Sequence, residues 1–211
     1  MNVEQVCDMM IYTSQGMVAS EPHLTELDQQ VGDGDHGFGI QRGFQAGYKM
    51  LSSSANQYAD VGELFVSFGT TLMATMGGAS GAIFGTFFRA GGKALVGKKE
   101  FDTPALIEFL TAGRDGVFQR GKAEPGDKTM MDALYAAVDA FPDKDALIAL
   151  PKALEIATDA AEQGALKTKY MIAKFGRAKS LGQRTIGHCD PGAVSMSLIL
   201  KYMSEYLNKK P

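Results

Sequence analysis

Tryptophan is absent from this 211-residue chain, and cysteine and proline are scarce, at 2 and 7 residues. Cys7 and Cys189 stand far apart, without CxxC or zinc-finger spacing. That excludes a disulfide-stapled scaffold and a cysteine-built zinc site, and leaves two free thiols suited to a reducing compartment. No apolar run approaches the ~20 residues of a membrane-spanning helix. The net charge is only −3, which gives no footprint for nucleic acid or for an acidic membrane. The opening residues, Met1-Asn2-Val3-Glu4-Gln5, lack the basic and apolar parts of a secretory signal, so a cytoplasmic protein is expected. Alternating β-branched stretches are missing, which excludes a sheet-based fold. Internal repeats and long linkers are missing too, so residues 1–211 read as one domain.

What is present is apolar spacing at helical period. Val3, Val6 and Met10 open a first helix, and Leu24, Leu27 and Val31 mark a second, entered through Ser20-Glu21-Pro22. Further helices are expected over Ile40–Leu51, ending in the polar run Ser52–Ser54, and over Val61–Met76, stopped by Gly77-Gly78. Others are expected over Gly81–Leu95, Thr103–Phe118, Lys128–Phe141 (closed by Pro142), Ala146–Ala165, which Pro151 could split, and Gly192–Leu207. The reading is all-α, with about eight helices.

The richest stretch is Asp28-Gln29-Gln30-Val31-Gly32-Asp33-Gly34-Asp35-His36-Gly37. Carboxylates this close repel unless something positive sits among them. Only Arg42 is near in sequence, and a hard divalent cation on oxygen ligands fits better. Glycines let Asp33 and Asp35 turn toward one point. The plainer alternative is a solvated acidic loop capping the next helix. Gly32–Gly37 also satisfies G-x-G-x-x-G, but no strand precedes it, and bare aspartates would repel a pyrophosphate. Gly92–Lys98 begins like a P-loop, yet Lys99 stands where a hydroxyl residue should bind magnesium. An EF-hand counted from Asp33 would need Glu at Phe44.

Three other clusters matter. Gly77-Gly78-Ala79-Ser80-Gly81 exposes backbone N–H groups at a helix start, a phosphate seat or merely a tight turn. Gly121–Met130 enters another helix; Asp127 could cap it, and Thr129 and Met130 could line a pocket. Gly176–Gly192 holds Arg177, Lys179 and Arg184, partners for phosphate oxygens or for surface acids. His188 and Cys189 have no second ligand pair for zinc. A metal cluster, small-residue helix starts and an arginine loop are together the parts of phosphoryl transfer.

Asp28-x4-Asp33-Gly34-Asp35-His36-Gly37, Gly77–Gly81, Gly126-Asp127-Lys128-Thr129-Met130 and Gly187-His188-x-Asp190-Pro191-Gly192-Ala193 resemble, in order, the L subunits of dihydroxyacetone kinases (DhaL) over nearly the whole chain. The resemblance implies a closed barrel of about eight antiparallel amphipathic helices with ADP or ATP at one end. It implies two Mg2+ ions on Asp28, Asp33 and Asp35. His36, Gly37, Phe38, Gly39, Gly78, Ala79, Ser80, Gly121, Thr129, Met130, Arg177, Asp190, Pro191 and Gly192 would surround the nucleotide. Arg184 falls where the family's phosphate-contacting arginine is expected, and is the candidate catalytic residue. The ketose would sit on a separate K subunit, so this chain alone would be an incomplete enzyme. A phosphocarrier M subunit, driven by phosphoenolpyruvate, would recharge bound ADP; in a second version of the family, ATP exchanges freely. A transcriptional regulator is a further family partner, and a homodimer is left open. One departure stands out: Gly39 replaces the usual Asn of His-Gly-x-Asn-Met, which leaves phosphate-binding details and the ketose, dihydroxyacetone or erythrulose, open.

Two rival readings remain. A nucleotide-sensing module would bind MgADP and a regulator without transfer. An apolar-ligand carrier would use the Met- and Phe-rich interior, but leaves the aspartates unexplained.

Overall fold

The structure is a computed structural model, and it describes residues 1–53, 58–141 and 148–209. Among these residues lie α1 (Val3–Ala19), α2 (Glu21–Val31), α3 (His36–Ser53), α4 (Val61–Thr75), α5 (Gly78–Ala94), α6 (Thr103–Gly121), α7 (Met130–Asp139), α8 (Leu150–Lys167) and α9 (Pro191–Asn208). Two 3-10 helices, Thr168–Tyr170 and Arg177–Thr185, join α8 to α9. No strand occurs among the described residues; Asn2 and Glu100 form one isolated bridge. No described helix is long and apolar enough to cross a membrane.

Local chemistry sets most boundaries. Asn2 and Gln5 form a capping box on α1, and Asp60, Asp102 and Asp190 cap α4, α6 and α9 through their carboxylates. Pro104, Pro151 and Pro191 sit in first turns, where the missing N–H costs nothing. Pro151 therefore opens α8 and does not split it. α3 begins at His36, four residues before the sequence expectation, because the glycines after Gly34 are helical. α5 likewise begins at Gly78. Ser20 makes no side-chain cap on α2; its hydroxyl turns to Gly16 O and Tyr202. Ser54, Pro142 and the expected helix start at Ala146 lie outside the described residues.

The packing closes a ring in the order α1, α3, α4, α5, α6, α7, α8, α9 and back to α1, with α2 against α3 near one end. The all-α barrel expected from the sequence is thus formed by eight helices. The starts of α3, α5, α7 and α9 share one end, so neighbours alternate in direction. The interior is solid. Phe44, Phe65, Phe68, Phe87, Phe88, Phe101 and Phe109 are fully buried. Phe65 and Phe109 approach to 4.4 Å between ring centroids, and Phe68 and Phe88 meet edge-on at 4.9 Å. A core filled with rings leaves the apolar-carrier reading without support. Both thiols are free and buried, and burial, with Asp8 and Glu4 nearby, pushes Cys7 up to about 11.

One seam brings backbones together. Gly62 and Gly69 on α4 face Gly92 and Gly85 on α5. A Cβ on Gly69 would lie 2.7 Å from Arg89 N and Gly85 O, and one on Gly92 would lie 2.7 Å from Val66 N. Both pairs recur at seven-residue spacing, keeping the seam on one face of each helix. Gly69→Ala must push the helices apart, at about 1–3 kcal/mol. We expect its thermal midpoint several degrees below wild type, while Gly121→Ala, which meets only the flexible end of the Ile83 side chain at 3.2 Å, loses less.

Candidate functional site

Alternation around the ring brings the N-termini of α3, α5, α7 and α9 to a single cavity of about 500 Å3. Each terminus offers unpaired N–H groups and partial positive charge, so four of them together favour an anion. Gly78, Ala79 and Ser80 of α5, Thr129 and Met130 at the start of α7, and Asp190, Pro191 and Gly192 at the start of α9 line it, as do His36, Phe38 and Gly39 of α3.

Against this positive floor stands the acidic loop between α2 and α3. One carboxylate oxygen from each of Asp28, Asp33 and Asp35 lies within 4.8 Å of the other two. Asp28 sits in the last turn of α2, whose carbonyl end adds negative potential. Its Oδ2 accepts from His36 N at 3.2 Å, so it also caps α3. Between the other two aspartates, Gly34 takes φ +79°, a left-handed turn that aims both at one place. Burial and the charges of Asp33 and Asp28 raise the Asp35 carboxyl above its usual range. Three oxygen donors whose mutual repulsion one guanidinium relieves only in part fit a hard divalent cation. The nearest positive side chain is Arg177, whose Nε lies 2.8 Å from Asp33 Oδ2. Arg42, the cation nearest in sequence, instead donates to Thr75 O at 2.8 Å and to Met76 O, closing the end of α4 beside the Gly77-Gly78 turn.

Three expected residues are not on the cavity wall. Gly37 turns toward α2, where a Cβ would meet Thr25 Oγ1 and Glu21 O. Gly121 ends α6 behind Ile83, a cavity-lining residue. Arg184 is exposed on the short turn after a break at Gly182 (φ +54°), while Arg177, before that break, does line the cavity.

His36 is buried. Its Nε2 lies 2.8 Å from Ser195 Oγ and its Nδ1 3.3 Å from Ser80 Oγ, which joins the starts of α3, α5 and α9. Desolvation lowers its pKa, so the ring is neutral.

The α7 turn corrects two readings. Thr129 caps α7, in a box with Asp132, so Asp127 is not the cap. Asp127 instead pairs with Lys174 at 2.7 Å, fastening the 171–176 loop to this turn. Lys128 was expected only as a helix start, but it is 2 % exposed. Its ammonium donates to Thr168 O and His188 O, and its backbone takes φ +59°. Burial lowers its pKa, opposed by Asp190 and the surrounding acids. A lysine in a Gly-Asp-Lys-Thr turn carries no signal of burial; its length only matters once the 168 and 188 carbonyls are brought beside it.

Residues 30–205 match the family described as DAK2 domain. The ADP-binding subunit DhaL of PEP-dependent dihydroxyacetone kinase from Escherichia coli is 40 % identical over 183 residues, covering 86 % of each chain. L-erythrulose kinase from Pectobacterium atrosepticum is 33 % identical over 91 % of this chain, but over only 33 % of its own length. In three dimensions the chain resembles the dihydroxyacetone kinase from C. freundii, solved in complex with AMP-PNP and Mg2+, with a TM-score of 0.75 and 29 % identity. The match covers 95 % of this chain and 33 % of that one, so this chain spans about a third of the solved kinase.

Asp190 gives the site a pH signature. Its Oδ2 accepts from Ala193 N at 2.7 Å and its N–H donates to Thr168 Oγ1 at 2.9 Å. Burial pushes its carboxyl up to about 7, against the pull of Ala193 N–H and Lys128. The folded state therefore holds a proton that the unfolded chain has lost above about 4. Its contribution to stability falls as pH rises from about 4 to 7, and the full cost is present above 7. Asp190→Asn keeps the capping oxygen without the charge. In chelated, nucleotide-free protein, its midpoint relative to wild type should rise between pH 5 and pH 8.

Proposed function

Because the chain belongs to the DAK2-domain family, among the ADP-binding subunits of dihydroxyacetone kinases, we propose that it passes a phosphoryl group from a magnesium-bound adenine nucleotide to a small ketose on a separate K subunit. The observation that carries this reading is the meeting of three carboxylates with four helix N-termini at one cavity. A carboxylate cluster alone would repel a nucleotide, and N-termini alone would need no metal. Side by side they suit a phosphate chain whose cations are held by Asp28, Asp33 and Asp35. Two Mg2+ ions there would neutralise the charge on the phosphates and orient them. The residues of the chain then have distinct tasks. Backbone N–H groups at Gly78, Ala79 and Ser80 receive phosphate oxygens. Thr129, Met130, Phe38 and the Asp190-Pro191-Gly192 turn enclose the rest of the nucleotide, and Arg177 swings between Asp33 and a phosphate.

End-to-end similarity to a PEP-dependent subunit supports recharging of bound ADP by a phosphocarrier M subunit. The ketose, dihydroxyacetone or erythrulose, is selected on the K subunit.

The first test is the thermal midpoint of the purified chain with ADP, with and without magnesium. It should rise only when both are present, by mass action. Asp33→Ala should lose that rise; a wild-type protein with no rise and no co-purified adenine nucleotide would overturn the reading. We assign phosphoryl stabilisation to Arg184, whose exposure suits a group that engages when the K subunit covers the mouth. Arg184→Ala should then lower turnover by roughly 10³-fold, the scale of phosphate-stabilising arginines, with little change in MgADP affinity. Equal losses in both would make it a binding residue.

A further inference from the structure

The start of α5 differs from the other three helix starts at the cavity. Asp28, Thr129 and Asp190 cap α3, α7 and α9 with side-chain oxygens, whereas Gly77 gives α5 no side-chain cap. The first hydrogen bond of α5 runs from Gly81 N to Gly77 O at 3.1 Å, so the N–H groups of Gly78, Ala79 and Ser80 are left for another acceptor. The connection that aims them is only Met76-Gly77, because α4 ends at Thr75 and α5 begins at Gly78. Gly77 and Gly78 take φ of +75° and +58°. Two successive left-handed glycines have wide conformational freedom and could point this turn elsewhere. A contact from outside the turn has to fix it.

One face of α3 supplies that contact, since Gly39, Arg42 and Gly43 all meet Met76. A Cβ on Gly43 would lie 2.0 Å from Met76 Cγ, so the methionine, itself 1 % exposed, seats in the space that glycine leaves. A Cβ on Gly39 would lie 3.4 Å from Met76 O. Between them Arg42 donates from Nε to Thr75 O at 2.8 Å and from Nη2 to Met76 O. A Cβ on Gly77 would come within 3.1 Å of the same Nη2, so the guanidinium lies against the turn itself. The two carbonyls belong to the negative end of α4, which the short connection places beside the positive end of α5. Unpaired, they would be free to turn with the glycines and would oppose an anion. A planar fork that takes both at once fixes the turn and offsets the charge. The same helix begins directly after Asp35, so α3 follows the acidic loop and grips the α5 start about two turns later.

We propose that Arg42 is a positioning residue for the phosphate chain: its fork on Thr75 O and Met76 O keeps the α5 start aimed at the phosphates, at a spacing from Asp33 and Asp35 that α3 sets. The inference rests on the function proposed above and adds a residue that acts without touching the nucleotide. Arg42 is the cation nearest the aspartates in sequence, yet its partners are carbonyls and not acids. Loss of the fork loosens the phosphate seat and leaves the turns at Thr129 and Asp190, which enclose the rest of the nucleotide, as they are.

The test is the MgADP affinity of the intact chain freed of nucleotide, measured by calorimetry, with the nucleotide-free thermal midpoint as a check on folding. Arg42→Met should weaken MgADP binding at least about tenfold, the scale of a charge-assisted hydrogen bond. Arg42→Lys restores the charge but cannot bridge two carbonyls, and should stay at least about threefold weaker than wild type. In Arg42→Lys saturated with MgADP, the phosphorus resonances of bound ADP should move from their wild-type positions, while the adenine H2 and H8 resonances should not. A general loosening of the fold would move both sets. Wild-type affinity in either variant overturns the proposal. So do phosphorus resonances that stay in place, or adenine resonances that move with them. If Arg42→Met does not fold, Arg42→Lys decides by the same two readings. Each of these outcomes leaves the nucleotide function standing. A wild-type chain without the MgADP rise in midpoint fails that reading instead.

Discussion

Everything at the working end depends on one electrostatic arrangement, the convergence of four helix N-termini opposite a carboxylate cluster. Alternating helix direction in a closed ring of eight makes the convergence unavoidable, since every second helix must start at the same end. The partial positive charge there favours phosphate. The acidic loop would be costly beside it without a cation, and the cation would be poorly held without the acids. Each half of the site supplies what the other lacks. The caps obey the same logic: Asp28 satisfies α3, Thr129 satisfies α7 and Asp190 satisfies α9, so the groups that build the helix starts also shape the cavity.

The second constraint is rigidity. A cavity made of helix ends keeps its shape only if the helices cannot slide. The phenylalanine core and the α4–α5 glycine seam lock the barrel from within. Lys128, Asp127 and His36 tie the loops at the rim to that frame through buried polar contacts. Buried polar groups of this kind are expensive when a partner is lost, which concentrates sensitivity to substitution near the mouth.

The helices and the acidic loop were legible in the sequence because both are local. Apolar spacing, capping aspartates and first-turn prolines lie within a few residues of what they determine, and Asp28, Asp33 and Asp35 fall within one short loop. What was not legible depends on distant partners. Arg177 reaches Asp33 from the far side of the chain, and Lys128 is buried only because two separate carbonyls arrive beside it. Asp127 looked like a helix cap by position, but Lys174 competes for it and Thr129, nearer the first turn, takes the task. The glycine seam did leave a trace, the seven-residue spacing of Gly62 and Gly69 and of Gly85 and Gly92, which passes unnoticed when glycines are read as turns. Arg184 and Arg177 could not be told apart without knowing that the backbone breaks between them at Gly182.

The placement of the chain ends has its own consequence. The Met1 ammonium donates to Phe101 O, beside the α5–α6 connection, and α9 runs from the cavity to end beside Tyr12, where Lys209 lies. Met1 and Lys209 thus both lie away from the mouth. A polypeptide continued from either one would emerge behind the site and leave the rim clear. This is a geometry in which the same barrel can serve as a free-standing part or as one segment of a longer fused enzyme, with no rebuilding of its working face. For a protein engineer, the back of the barrel is the place to attach a label, a tether or a second catalyst.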